Sequence, residues 1–184
     1  MVPGWRLTGD AIEPDESTCD HWREFQIRVR LESCGVPKHL INKRYDEHPK
    51  DQDLILKLRA CLERGLFLCF VGALGVRARA LLTMTRCLAK QKRRRHFRVE
   101  ILDISFRQRV DTPNSTLMRE LQGYPSCLFV VFMGIGSFPA WMMNDFKEVL
   151  SHRAMNRLPT VVMEETTAIH DSIKGMGEVI GCRL

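Results

Sequence analysis

No apolar run in this chain approaches the ~18 residues needed to cross a bilayer, which excludes a membrane-spanning helix as the reading of any segment. The start, MVPGWRLTGDAIEPDES, lacks the apolar stretch of a secretion signal and is acidic, so no signal peptide is expected and cytoplasmic residence is the default. The seven cysteines (19, 34, 61, 69, 87, 127 and 182) include no C-x-x-C pair, and several lie in apolar stretches. That pattern suits buried, reduced thiols and argues against a disulfide scaffold or a zinc site. Cys19 and His21 make half a metal site without a matching second pair, so no metal is expected. Internal repeats and low-complexity tracts are also missing. What remains is 184 residues, 45% apolar and 27% charged, the profile of one globular domain with a real core.

Acidic residues are absent from one long window. Residues 77–98 carry nine of the 28 Lys and Arg and no Asp or Glu, leaving 19 basic against 22 acidic residues elsewhere. The net charge of +6 is therefore local. One reading is a solvated helix end, whose cations also suit the helix C-terminus. The other is an electrostatic footprint for nucleic acid or an acidic partner, with Lys90, Lys92, Arg93, Arg94, Arg95 and Arg98 as the candidate contacts.

Along the chain, residues 1–22 show no periodicity and read as loose. An amphipathic segment from Glu24 stops at the breaker Gly35-Val36-Pro37. DQDLILKLRACLERG (51–65) places Leu54, Ile55, Leu58 and Leu62 at helical spacing and closes on Gly65, a good helix-ending residue. LFLCFV then reads as a strand covered on both faces, with a helix expected from about Arg77 to Lys92. FRVEILDI (97–104) and SCLFVVFM (126–133) read as strands, and PNSTLMRELQG between them as a short helix capped by Ser115. Residues 140–157 form a helix with Trp141, Phe146, Val149 and Leu150 on one face, Pro159 leads into a fourth strand, TVVM, and the remainder reads as one or two helical turns. Strands alternating with helices predict an α/β sandwich with a largely parallel sheet. The six histidines have no partners at nucleophile-activating spacing. Glu164 and Glu165, being adjacent in a strand, point to opposite faces and make a poor acid/base pair.

The stretch CFVGALGVRARALLTMTRCLAKQ (69–91) begins like a phosphate-binding loop, with an apolar strand, Gly72, Gly75 and then a helix-forming run. Taken with GVPKHLINKRYDEH, GLFLCFVGALG, LFVVFMGIGSFPAWMMNDFKEVLSHRAMNRLPTVVMEETT and GEVIGCRL, it resembles the AAA+ core of the bacterial replicative-helicase loaders (DnaC/DnaI type) and the related transposase-helper ATPases (IstB type). The ordered series, including Arg-x-x-x-x-Leu-Pro-Thr, covers most of residues 35–184. The resemblance implies a three-layer P-loop NTPase core over residues 46–184, preceded by a partly irregular extension, 1–45. Because the family continues into a further strand, the sheet is expected to be short, truncated at the C-terminus.

At the family's catalytic positions the sequence departs from the pattern. In a working P-loop, backbone N–H groups wrap the phosphates, a lysine neutralises their charge and a hydroxyl holds Mg²⁺. Gly72 and Gly75 remain, but Arg77 stands for the third glycine, Ala78 for the lysine and Arg79 for the hydroxyl. Arg79 cannot ligate Mg²⁺ and would repel it. The strand expected to end in two aspartates runs Val131-Phe132-Met133-Gly134, and the next acid is Asp145. The sensor asparagine falls at Glu164 or Glu165. These losses predict a pseudo-ATPase with no catalytic residues, no ATP or Mg²⁺ cofactor and no hydrolysis. Arg183 matches the arginine that reaches a neighbour's nucleotide in such assemblies, the plainer alternative being an ordinary surface arginine.

The expectation is a non-catalytic, loader-like protein in DNA replication. Its partner would be a replicative helicase or a helicase loader, with DNA contact through 77–98 and no membrane association. Two alternatives stay open: an active loader or transposase-helper ATPase that binds nucleotide through Arg77 and Arg79, and a small basic nucleic-acid-binding protein.

Overall fold

The computed structural model describes residues 5–8, 11–14, 20–42, 51–91, 96–110, 115–133, 138–165 and 179–183. Its central sheet has five parallel strands. A separate two-stranded hairpin, β1 (Trp5–Thr8) and β2 (Ala11–Pro14), precedes it, pairing antiparallel with Thr8 opposite Ala11. Residues 1–22 had been expected to be loose. The Gly9-Asp10 between the strands is a dipeptide that two-residue hairpins favour, and it was the overlooked signal.

Helices α1 (Asp20–Ser33) and α2 (Lys38–Ile41) follow, joined at Gly35, whose φ of 89° only glycine adopts without strain. The turn also guards the sheet: Cys34 O accepts a hydrogen bond from Val99 N at 2.7 Å, and a Cβ at Gly35 would lie 2.5 Å from Val99 O. α3 (Asp51–Arg64) buries Leu54, Leu58 and Cys61 and ends at Gly65 with φ 63°, as its sequence suggested. Leu66 N–H reaches back to Cys61 O at 3.0 Å, the closing bond of a Schellman-type end.

Next come β3 (Phe67–Val71), α4 (Leu74–Lys90), β4 (Phe97–Leu102) and α5 (Ile104–Arg109). The chain continues through α6 (Thr116–Gly123), β5 (Cys127–Phe132), α7 (Ala140–Met155), β6 (Thr160–Glu164) and β7 (Val179–Arg183). Ser115 caps α6 as expected, its hydroxyl accepting from Met118 N–H at 3.3 Å. The strands lie in the order β4-β5-β6-β3-β7, with β5 interior and buried along its whole length.

Three further expectations need correction. α4 starts a turn earlier than Arg77. FRVEILDI is strand only to Leu102, since Asp103 caps α5 by accepting from Phe106 N–H at 2.9 Å. Residues 179–183 form a fifth strand against β3 where helical turns and a shortened sheet were expected. Five residues are too few for periodicity to separate strand from helix.

Strand alternation splits the core in two. Leu68, Phe70, Val99, Phe129, Val161 and Met163 face α1–α4, whereas Phe67, Cys69, Leu102, Leu128, Val130 and Val162 face α5–α7. Right-handed crossovers dictate that division. The chain leaves β3 toward the β4 edge with α4 on one face, then returns through β5 and β6 with α6 and α7 on the other. Each large apolar side chain so enclosed contributes about 1.5–3 kcal/mol relative to exposure. Leu31, Val36, Leu40 and Ile41 belong to the first cluster, so α1 and α2 share the core of the sheet. The boundary expected near residue 45 lies outside the described residues.

Candidate functional site

Between β3 and β6 the course of the chain reverses: β3 leads to the far edge at β4, whereas β6 leads past β3 to β7. In open parallel sheets ligands bind at such a switch point, in the crevice beyond the carboxyl ends of the strands. Here that crevice is bordered by Gly72 and Ala73 after β3, the first turn of α4, Met133 after β5, and Glu164-Glu165 at the end of β6. The expected phosphate loop and acidic strand ends thus fall together at one place.

The loop spends several of its amides internally. Gly72 N–H donates to Glu164 O at 3.1 Å, and the N–H groups of Val76 and Arg77 both donate to Ala73 O at 3.0 Å. Ala73, Leu74 and Gly75 are exposed. Neither glycine is held by sterics: both have φ in the ordinary range, a Cβ at Gly75 would meet nothing within 4 Å, and one at Gly72 would come no closer than 3.7 Å to Val76.

Arg77 enters the crevice from the first turns of α4. It is only 2% exposed. Its Nη1 donates to Phe132 O at 2.5 Å and its Nη2 lies 3.8 Å from Glu165 Oε2, while Nε has no partner. Burial pushes the guanidinium below its ordinary pKa, and Glu165 and Glu164 push it back up. Glu164 is fully buried in β6 and accepts from the Cys69 thiol at 3.6 Å, whereas Glu165 just beyond is largely exposed. Ala78 packs on the core cluster beneath α4, and Arg79 turns away to Asp51 in the first turn of α3, at 3.1 Å. Met133 N–H donates to Leu102 O at 2.9 Å. Gly134 lies outside the described residues. The inward course of Arg77 had a sequence signal that was missed: 77, 81, 84 and 88 recur at helical spacing, and all four are buried.

The other candidates disperse. Register sets Arg183 opposite Val71, at the same end of the sheet as the crevice; its side chain lies outside the described residues. Of the basic segment, Arg86 forms a fork with Glu24 (2.8 and 2.5 Å), and Arg98 pairs with Glu100 at 3.2 Å and Glu120 at 3.5 Å. Lys90 is exposed at the end of α4, and Lys92, Arg93, Arg94 and Arg95 lie outside the described residues. Among the described residues no cluster of His, Cys, Asp and Glu could hold a metal, and no helix is long and apolar enough to cross a membrane.

At the opposite end of the sheet lies a residue the sequence reading passed over, Arg153 of α7, which has no exposed surface. It donates to Leu121 O (3.0 Å), Tyr124 O (2.7 Å), Ser126 O (2.9 Å), Pro159 O (3.1 Å) and Thr160 Oγ1 (2.8 Å). It is the arginine of the Arg-x-x-x-x-Leu-Pro-Thr pattern, so that pattern ties the entries of β5 and β6 to α6 and makes no part of the crevice.

No protein-family profile and no curated protein sequence matches the chain. Solved structures do. A candidate primosome component from Streptococcus pyogenes serotype M3 superposes with a TM-score of 0.51 at 14% identity, over 81% of this chain and 90% of that one. DnaI superposes with a TM-score of 0.50 at 18% identity, over 84% of this chain and 97% of that one. The chain therefore has a P-loop NTPase-like α/β fold similar to that of DnaI.

Proposed function

We propose that this chain is a non-catalytic, helicase-loader-like protein that works in DNA replication by binding a replicative helicase or its loader. The observation that carries the reading is Arg77, a buried guanidinium in the crevice where a P-loop protein of this fold would hold phosphates. Around it stand Ala78, Arg79 and Met133 in place of the lysine, hydroxyl and first acid that phosphoryl transfer employs. A guanidinium at that spot disfavours Mg²⁺, and Glu165 beside it, with the buried Glu164 charge close behind, disfavours a γ-phosphate. The likeness to DnaI and to a primosome component supports the replication context. With the site lost, the fold keeps its surfaces, because its stability rests on the apolar layers on both faces of the sheet.

A second reading is favoured by Gly72 and Gly75, whose open surroundings serve no packing need and leave the first turn of α4 approachable. In that reading phosphates meet the helix N-terminus without the usual lysine, and Arg79 leaves Asp51 to reach them. One experiment separates the two. The purified chain is mixed with the replicative helicase and loader of its own organism, with and without Mg-ATP, and both co-migration and phosphate release are followed. A complex that forms without nucleotide, with no turnover from this chain, is the expected result. Phosphate release that disappears in Gly72→Val establishes the second reading, and no complex with either protein refutes the first.

A further inference from the structure

We propose that Arg77 is a built-in latch, which closes the switch-point crevice from within and makes its conformation independent of nucleotide. This deepens the non-catalytic reading above and rests on it. Three elements meet at the crevice: α4 through its first turn, β5 through its terminal carbonyl and β6 through the residue that follows it. Arg77 belongs to the first, hydrogen-bonds Phe132 O of the second and pairs with Glu165 after the third. A phosphate group with its metal would join the same three elements from outside. The chain joins them with its own cation.

The placement is costly, which argues against accident. A guanidinium that is 2% exposed gives up its hydration, and its Nε finds no partner. The surroundings return part of that cost through one carbonyl and two nearby carboxylates, Glu164 and Glu165. The amides beside it are committed as well, Gly72 to Glu164 O and Val76 and Arg77 to Ala73 O. An anion approaching the first turn of α4 therefore meets a crevice already bridged. Opening it requires Arg77 to leave Phe132 O and Glu165 together. The latch predicts one rigid state where a nucleotide-dependent relative would have two.

Hydrogen exchange of the full chain reads this directly, since local opening sets the exchange rate. In the wild type, the hydrogen-bonded amides of Gly72, Val76, Arg77 and Met133 should exchange slowly, unchanged by a non-hydrolysable ATP analogue with Mg²⁺. Arg77→Met keeps the aliphatic stem and removes the guanidinium; it should speed those amides about tenfold or more while strand-centre amides of β5 stay protected. Glu165→Gln, at an exposed position, should give a smaller acceleration at the same amides and settles the matter if Arg77→Met does not fold. Wild-type rates at Gly72, Val76, Arg77 and Met133 in both variants overturn the latch. Slowing of the wild type by the analogue instead overturns the nucleotide-free reading, whatever the variants do.

Discussion

Arg153 is a buried charge with no carboxylate among its partners, held by five acceptors that match the five N–H groups of a guanidinium. Two of them, Leu121 O and Tyr124 O, belong to the C-terminal end of α6, where the helix dipole favours a cation. Burial brings its pKa down to about 10, so it stays charged at neutral pH. An ammonium offers only three donors, on a stem without the planar fork. Arg153→Lys should therefore leave at least two acceptors unmet and cost about 3 kcal/mol, each buried orphan being worth about 1–3 kcal/mol. Urea denaturation followed by circular dichroism measures it, and an unmoved midpoint contradicts the account. The sequence displayed this residue as part of a family-like pattern. Its purpose became clear only when α6, β5 and β6 were placed around it, because its partners are backbone atoms 27–32 residues upstream as well as nearby ones.

Helix α1 lies against α4 by the fork of Arg86 on Glu24 and by Arg30, which donates to Ala89 O at 2.9 Å near the end of α4. Hydrogen bonding from Arg86 holds the Glu24 carboxyl below its ordinary value of 4.5, against the opposing effect of burial. A depressed acid contributes its stability in full above about pH 4.5 and loses it as pH falls through the lower folded value. Glu24→Gln should accordingly flatten the acid limb of stability against pH, in melts taken between about pH 6 and pH 2. An acid limb identical to the wild type's would show that the clasp carries no linkage. Signals confined to a few residues were legible beforehand, such as the Ser115 cap and the Gly65 ending. The clasp was not, since Glu24 and Arg86 are 62 residues apart. α5 was hidden for a different reason: Asp103 reads equally as the end of an alternating strand and as a cap, and only its bond to Phe106 decides.

The basic window looks different once folded. Arg77, Arg79, Arg86 and Arg98 each face a carboxylate of the same chain, so they do not form a shared outward patch. If the segment binds a polyanion through the run Lys92–Arg95, the salt slope on duplex DNA should be about −3.6, from ~0.9 per phosphate and four cations. Titrations of a duplex at several salt concentrations test this, and serine at all four positions should abolish the slope. A slope of about −7.2, from eight cations at ~0.9 each, would mean that the paired arginines leave their carboxylates on binding. Composition could show which chemical groups the crevice is missing, because an alanine where a lysine is needed is visible in the letters. It could not show that Arg77 turns inward, which depends on where the ends of β5 and β6 come to rest.

The interior seat of β3, between β6 and β7, has a temporal side. Its two hydrogen-bonding neighbours begin far along the chain: from Phe67 it is 93 residues to Thr160 of β6 and 112 to Val179 of β7. At a synthesis rate of about 5–20 residues per second, Phe67–Val71 is made roughly 5–20 s before β6. Until then the most apolar strand of the first half has both edges bare, the state in which strands pair with foreign chains. Assembly of the sheet must wait for these distant partners, so the nascent chain passes through an interval in which α3 and α4 are the neighbours available to shield that strand.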